Sequence, residues 1–153
     1  MLRKARIGDV KAIHKMINFS AGRGEILPRS LMDIYGNLRD FLVCAKDDDE
    51  EVLVGVCAMS IIWENLAEIR SLYVCEDYRG RGIAGSLVET CIEEAITLDL
   101  FRIFTLTSQS DFFIRLGFHE VDRSSLSERI WSDCFRCSKY PDYCDEVAMI
   151  IEL

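Results

Sequence analysis

The stretch Asp77-Tyr-Arg-Gly-Arg-Gly-Ile-Ala-Gly-Ser86 joins an apolar, strand-like run, Leu66 to Val74, to a helix-like run that begins at Ser86 and ends at Leu98. A glycine-rich turn at the start of a helix leaves several backbone N–H groups without partners, and the helix dipole adds partial positive charge there. Such turns bind anions, most often phosphate. Since Arg79 and Arg81 add two positive charges, the turn predicts a site for a phosphate-bearing cofactor.

A dinucleotide is one candidate for this cofactor, because Gly80-Arg-Gly-Ile-Ala-Gly85 matches the G-x-G-x-x-G fingerprint letter for letter. In a dinucleotide site the first glycine follows the strand almost directly, and an acidic residue ends the next strand. Here five residues, Cys75 to Arg79, precede the first glycine. The next strand-like run, Phe101 to Thr107, is followed by no carboxylate before Asp111. Both departures disfavour a dinucleotide.

Two landmarks in the chain fit another family. Arg79-x-x-Gly82-x-Ala84 resembles the pyrophosphate-binding motif of the GNAT acyltransferase superfamily. Phe112-Phe-Ile-Arg-Leu-Gly-Phe118 resembles that family's second landmark, a short helix that ends in Gly-Phe. The landmarks lie about 35 residues apart, and the resemblance runs from about Leu2 to the C-terminus. It implies that acetyl-CoA is the cofactor. The cofactor-binding residues that it implies are Tyr73, Val74, Arg79, Gly80, Arg81, Gly82, Ile83, Ala84, Gly85 and Phe113.

The hydrophobic pattern predicts helices and strands in the order β-α-α-β-β-β-α-β-α-β-β, which indicates a mixed α/β fold. Asp9 and Ser30 are the predicted N-caps of the first two helices. The resemblance implies the GNAT acyl-CoA N-acyltransferase fold, a largely antiparallel mixed sheet with helices on both faces. In that fold strands four and five run parallel and splay apart. A length of 153 residues predicts a single domain over residues 1–153.

Composition narrows the classes of partner. The net charge of −8 argues against a nucleic-acid-binding surface. No apolar run approaches the roughly 20 residues that span a bilayer, and no apolar segment typical of a secretory signal follows the first residues. We therefore expect a cytoplasmic protein, and the resemblance implies a small-molecule amine substrate. Members of the family often dimerise, so a homodimer is also an expectation.

Two residues are predicted to carry the proton chemistry. Glu68 lies mid-strand beside apolar residues, so burial would raise its pKa toward a value that suits a general base acting through a water; alternatively, Glu68 and Arg70 simply pair. The family often uses a Tyr of the second landmark as the acid, and Phe113 stands in that place. Thr107 is the nearest hydroxyl that could stabilise the leaving thiolate, unless it only caps the following turn.

A narrower resemblance concerns the acceptor. Ala67-Glu-Ile-Arg-Ser-Leu72, Leu27-Pro-Arg-Ser30 and Leu126-Ser-Glu-Arg129 together look like the acetyltransferase domain of the short form of N-acetylglutamate synthase. The resemblance implies acetylation of the α-amine of L-glutamate. Because arginine forks match carboxylates, the predicted substrate-binding residues are Arg29, Arg70 and Arg129. Two alternatives remain: transfer to another amino acid, a small amine or a protein N-terminus, and a non-catalytic protein that binds acetyl-CoA or a metal.

Seven cysteines are many for a cytoplasmic chain of this length. Cys44, Cys57, Cys75 and Cys91 fall on strand-like or helix-like apolar positions and are expected to be reduced thiols. Cys134, Cys137 and Cys144 cluster at a spacing that could hold a metal, but three cysteines are an incomplete zinc site. They therefore remain weak metal candidates beside a disulfide and free thiols.

Overall fold

The computed structural model describes residues 1–126 and 146–153. Within them the predicted order of helices and strands is confirmed. The strands are β1 (Leu2–Lys4), β2 (Phe41–Lys46), β3 (Asp49–Trp63), β4 (Leu66–Val74), β5 (Arg102–Thr107), β6 (His119–Val121) and β7 (Val147–Glu152). The helices are α1 (Val10–Gly22), α2 (Leu31–Gly36), α3 (Ile83–Thr97) and α4 (Ser110–Arg115). Single 3₁₀ turns lie at several of the connections.

The seven described strands form one sheet in the order β1-β2-β3-β4-β5-β7-β6. Antiparallel pairing joins β1 to β2, β2 to β3, β5 to β7 and β6 to β7. β4 and β5 are parallel, and their pairing joins Ala67 to Ile103 and Glu68 to Phe104. The mixed α/β sheet, with strands four and five parallel, is therefore confirmed.

Two compact units divide the described chain. The first comprises Met1–Ser60 and Ile69–Glu94, and the second comprises Ile61–Glu68 and Ala95–Leu153. The expectation of a single domain over residues 1–153 stays a prediction. No helix in the described ranges is long and apolar enough to cross a membrane.

In the first unit, helices cover both faces of β3. Val56 and Ala58 belong to an apolar cluster with the buried stripe of α1. Gly55 approaches α3 so closely that an added Cβ would lie 3.3 Å from two of its side chains, and the Sγ atoms of Cys57 and Cys91 lie 3.9 Å apart. Because successive residues of a strand face opposite sides, α1 and α3 lie on opposite faces of β3.

The two predicted N-caps behave differently. Ser30 Oγ accepts a hydrogen bond from the backbone N–H of Asp33 at 3.0 Å and caps α2 as expected. Asp9 occupies the N-cap position of α1 without a capping hydrogen bond to it. Its carboxylate instead accepts from the backbone N–H of Arg6 at 2.7 Å and from the Arg3 guanidinium at 2.7 and 3.0 Å. Asp9 thus joins β1 to the start of α1.

Helix α3 begins at Ile83, three residues before the predicted start at Ser86. The N–H of Ser86 donates to the carbonyl of Gly82 at 3.0 Å, which makes this bond the first of the helix. The start of α3 was not predicted correctly, because the short run of small residues at Ala84 and Gly85 carries no amphipathic pattern. The glycine turn therefore leads straight into the helix.

The second unit has its own core. β5 lies between the start of β4 and β7, and pairs with β7 along its whole length. The buried cluster of this unit consists of Leu66, Phe104, Leu126, Ala148 and Ile150. Gly117 follows α4 with a positive φ of 100°, a backbone conformation that favours glycine just after a helix.

Candidate active site

The glycine turn of the first unit has the geometry of an anion site. Gly80 and Gly82 adopt φ values of 79° and 80°, the left-handed region that favours glycine. A Cβ added at Gly80, Gly82 or Gly85 would meet no atom within 4 Å. In the described part of the chain, no hydrogen bond uses the backbone N–H groups of residues 80–85. The turn therefore offers open space, backbone donors and a helix start together.

Both arginines of the turn lie against aromatic rings. The guanidinium of Arg79 is 5.6 Å from the centre of the Tyr73 ring, and its Nε donates to the carbonyl of Val74 at 2.9 Å. The guanidinium of Arg81 lies 4.9 Å from the Tyr78 ring. The hydrogen bond from Arg79 thereby ties the turn to the end of β4.

Tyr73 and Val74 are buried at the end of β4. Burial raises the pKa of the Tyr73 hydroxyl above its ordinary value. The Tyr73 ring meets the edge of Phe19 of α1 at a centroid distance of 6.4 Å. A backbone carbonyl has two acceptor lone pairs, so the hydrogen bond from Arg79 does not by itself exclude a cofactor contact at Val74.

Arg29 is a buried cation in the loop before α2. Its side chain is 5% exposed, and its Nε donates to Asp33 Oδ2 at 2.6 Å. Its Nη1 lies 3.4 Å from Ser71 Oγ of β4, and its guanidinium lies 4.9 Å from the centre of the Phe41 ring. A buried charge is unfavourable unless it is paired. The guanidinium of Arg29 contacts one carboxylate, that of Asp33, one hydroxyl, that of Ser71, and one aromatic ring, that of Phe41.

Ser71 has a conformation that the sequence did not reveal. Its φ is 55°, in the left-handed region, although it lies in the middle of β4. Non-glycine residues adopt this region at a cost of about 1 to 3 kcal/mol and cluster at functional sites. Serine is not a typical residue for a positive φ, so no local signal could have predicted it. The strained residue is also the one that contacts Arg29.

Glu68 belongs to the second unit. Its side chain is buried, with 8% of the residue exposed. It lies opposite Phe104 in the parallel ladder with β5. Arg70, two residues further along β4, is half-buried. The roles predicted for Glu68 and Arg70 stay predictions.

Thr107 is the last residue of β5, and Phe113 lies in α4. Thr107 is buried, and its Oγ1 accepts a hydrogen bond from the backbone N–H of Gln109 at 2.8 Å. Phe113 is 3% exposed and packs edge-on against Phe112 and Phe118 at centroid distances of 5.0 and 5.1 Å. Phe113, at the position where the family that the sequence resembles often has a Tyr, is thus part of an aromatic cluster.

Several predicted residues lie outside the described ranges. These are Arg129, which was predicted to bind substrate, and the metal candidates Cys134, Cys137 and Cys144. Among residues 1–126 and 146–153, no group of three or more His, Cys, Asp or Glu side chains could hold a metal ion. Cys44, Cys57, Cys75 and Cys91 are free thiols, as expected.

The amino-acid sequence is similar to those of known acetyltransferases. The sequence profile of the acetyltransferase (GNAT) family matches residues 13–120. An uncharacterized N-acetyltransferase of Chlorobaculum tepidum is 38% identical over 97% of this chain and 94% of its own length. An amino-acid acetyltransferase of Mycobacterium tuberculosis is 31% identical over 89% of this chain and 78% of its own length.

Solved structures give the same picture of the fold. The protein Rv2747 of Mycobacterium tuberculosis, crystallised with CoA and a second ligand, superposes with a TM-score of 0.86 at 27% identity and covers 100% of this chain and 99% of that one. N-acetylglutamate synthase of Neisseria gonorrhoeae, complexed with coenzyme A and N-acetyl-glutamate, gives a TM-score of 0.88 at 21% identity. That likeness covers 100% of this chain and 35% of the synthase, and at this identity it shows the fold alone.

Proposed function

The chain belongs to the acetyltransferase (GNAT) family, and from this premise we propose that it transfers the acetyl group of acetyl-CoA to the α-amine of L-glutamate. N-acetylation that depends on acetyl-CoA follows from the family. The acceptor is the proposed part. A relative of similar length is named an amino-acid acetyltransferase, which supports an amino acid as the acceptor class.

The glycine turn fits the cofactor's pyrophosphate. Gly80, Gly82 and Gly85 leave open the space that a Cβ would fill, and the N–H groups of residues 80–85 are free within the described part of the chain. Phosphate oxygens accept such N–H donors, and the start of α3 adds favourable dipole. We assign the pyrophosphate to this turn, with Arg79 and Arg81 as flanking charges and with Tyr73, Val74 and Phe113 as the further proposed contacts.

Acetyl-CoA supplies an activated acyl group as a thioester, and the chain's own residues manage the protons. An amino acid arrives with a protonated amine, which must lose a proton before it can attack a carbonyl carbon. Glu68, a buried carboxylate, is the proposed acceptor of that proton through a bridging water. As the C–N bond forms and the C–S bond breaks, the attacking nitrogen loses its second proton and the sulfur leaves as a thiolate, which takes up that proton. A hydroxyl donor stabilises the negative charge on the sulfur as it leaves.

Thr107 is the proposed donor to that sulfur. Its oxygen already accepts from the N–H of Gln109. Since a hydroxyl carries one hydrogen and two lone pairs, the acceptor role leaves the hydrogen of Thr107 available for donation. The turn-capping role and the catalytic role are therefore compatible.

The observation that carries the choice of acceptor is the buried guanidinium of Arg29. Its Nε and Nη1 have partners, whereas its Nη2 makes no hydrogen bond among the described residues. A buried cation with unused donors suits a carboxylate, which it can hold through two parallel hydrogen bonds. Glutamate carries two carboxylates, and Arg70 and Arg129 are the proposed further ligands.

Replacement of Arg29 by alanine tests this acceptor. Arg29→Ala should raise the KM for glutamate by about a hundredfold, the loss expected when a charge-assisted, two-bond contact is removed, and should leave the KM for acetyl-CoA unchanged. Arg39→Ala is the matched control, because Arg39 is exposed and its side chain makes no hydrogen bond among the described residues. An unchanged KM for glutamate would contradict the assignment, and loss of acetyl-CoA binding as well would indicate misfolding.

A further inference from the structure

Asp33 is a side chain whose role the sequence did not suggest. Its Oδ2 accepts from Arg29 Nε at 2.6 Å, and its Oδ1 accepts from Asn37 Nδ2 at 2.9 Å. Asn37 Nδ2 also donates to the backbone carbonyl of Asp33 at 2.9 Å. Both carboxylate oxygens are therefore fixed, one by the residue that follows α2 and one by the buried cation.

These contacts decide which edge of the Arg29 guanidinium is occupied. A guanidinium has five N–H donors and two edges on which a carboxylate can bind in bidentate fashion, one through Nε and Nη2 and one through Nη1 and Nη2. Asp33 takes the Nε donor, and Ser71 Oγ takes one Nη1 hydrogen at the long distance of 3.4 Å. Phe41 lies against the face of the group at 4.9 Å. Nη2 donates to none of the described residues, so the edge formed by Nη1 and Nη2 keeps donors for a carboxylate.

We propose that Asp33 is the positioning residue of the acceptor site: it closes the Nε edge of Arg29, so that the Nη1–Nη2 edge is presented to the carboxylate of an α-amino acid. This inference rests on the proposed function and deepens it. It assigns the selection of acceptors that carry a carboxylate to the pair Arg29–Asp33. Amines without a carboxylate have no group for that edge and are poor acceptors.

The physical basis is orientation more than charge. A long arginine side chain loses substantial rotamer freedom when its head group is held in one position, and Asp33 pre-orders it before substrate arrives. Asparagine at position 33 would keep an oxygen that accepts the Nε–H, and alanine would keep none. The two variants therefore separate the loss of the hydrogen bond from the loss of the negative charge.

The experiment measures KM and kcat for glutamate, the KM for acetyl-CoA and the melting temperature of the full chain. Asp33→Ala should raise the KM for glutamate by about tenfold, the effect of one misplaced charge-assisted hydrogen bond. Its kcat and its KM for acetyl-CoA should stay close to those of the wild type. Asp33→Asn should restore most of the affinity for glutamate. If Asp33→Ala does not fold, Asn37→Ala, which releases Asp33 Oδ1, should raise the KM in the same direction by a smaller factor.

Asp9→Ala is the matched control. Asp9 also holds an arginine, Arg3, with a shortest contact of 2.7 Å, yet it is assigned no substrate. The Asp9→Ala variant should have a lower melting temperature and an unchanged KM for glutamate. A lower melting temperature for the position-33 variants with an unchanged KM would overturn the role of Asp33 alone. A wild type that turns over no α-amino acid would overturn the proposed function, and the role of Asp33 with it.

Discussion

The hydroxyl oxygen of Thr107 accepts a hydrogen bond from the backbone N–H of Gln109 at 2.8 Å, at the point where β5 ends. This contact orients the hydroxyl and leaves its hydrogen free to donate. The residue is buried, so the donated hydrogen bond would act in a medium of low polarity, where it is stronger than in water.

Replacement of Thr107 tests this donor. Thr107→Val should lower kcat by about tenfold, because a hydrogen bond to a charged sulfur contributes roughly 1.5 to 3 kcal/mol, and Thr107→Ser should retain most of the activity. Steady-state kinetics with saturating acetyl-CoA measures both. Equal kcat for wild type and Thr107→Val would leave Thr107 with only its capping role.

The cofactor turn can be tested at Gly82. Gly82→Asp should raise the KM for acetyl-CoA by about a hundredfold or more, because it adds a like charge beside phosphate and forces a side chain into the left-handed region. Gly8→Asp is the matched control, since it adds the same charge at an exposed glycine without a positive φ. If both variants bind acetyl-CoA like the wild type in a calorimetric titration, the pyrophosphate is not bound at this turn.

The role of Glu68 can be tested by an isosteric change. Glu68→Gln should lower kcat by about a hundredfold, within the range measured for general bases, and should flatten the acidic limb of the pH–rate profile. Glu120→Gln changes an exposed glutamate of the same unit and should have no effect. A Glu68→Gln profile that matches the wild type would remove Glu68 as the base.

The ion pair of Asp9 and Arg3 predicts a pH-dependent stability. Burial alone would raise the pKa of Asp9, but the hydrogen bonds from Arg3 and from the Arg6 N–H outweigh it, so that the pKa is lowered. A lowered pKa in the folded state contributes stability that is present above the unfolded value of about 3.9 and is lost as the pH falls through the folded value.

Asp9→Asn should therefore destabilise the chain by about 3 kcal/mol at neutral pH, because it leaves Arg3 buried without its anion. The Nε atom of Arg3 is already buried without a hydrogen-bond partner among the described residues. Denaturant unfolding at pH 7 and at about pH 3 measures the difference. The loss of unfolding free energy caused by Asp9→Asn should be smaller at the lower pH. A loss that does not depend on pH would contradict a lowered pKa of Asp9 in the folded chain.

Local pattern was sufficient to predict much of the fold. The bounds of β4 agree with the predicted strand-like run to the residue, because that largely apolar run lies between polar residues at Glu64 and Asn65 and at Glu76 and Asp77. Ser30 was predictable as a cap from its residue type and place. These features depend on neighbours in the sequence, which is what periodicity and capping rules capture.

Features set by distant contacts were not predictable in the same way. The insertion of β7 between β5 and β6 joins residues that are far apart in the chain. The left-handed Ser71 has no signal in its residue type. In the sequence, Asp33 is only a polar residue near the start of a predicted helix. Its contact with the buried Arg29 forms only when the loop before α2 is folded. The contact between Arg29 and Asp33 therefore becomes visible only in the structure.

The most direct test of the central claim is the release of free CoA thiol from acetyl-CoA by the purified chain with glutamate, glutamine, aspartate, ornithine, lysine, spermidine or an N-terminal peptide as the acceptor. We predict saturable turnover with glutamate and little with glutamine, because the second carboxylate is replaced by a neutral amide. Turnover with glutamine or a polyamine in preference to glutamate would contradict the proposed acceptor while leaving the acetyltransferase chemistry in place.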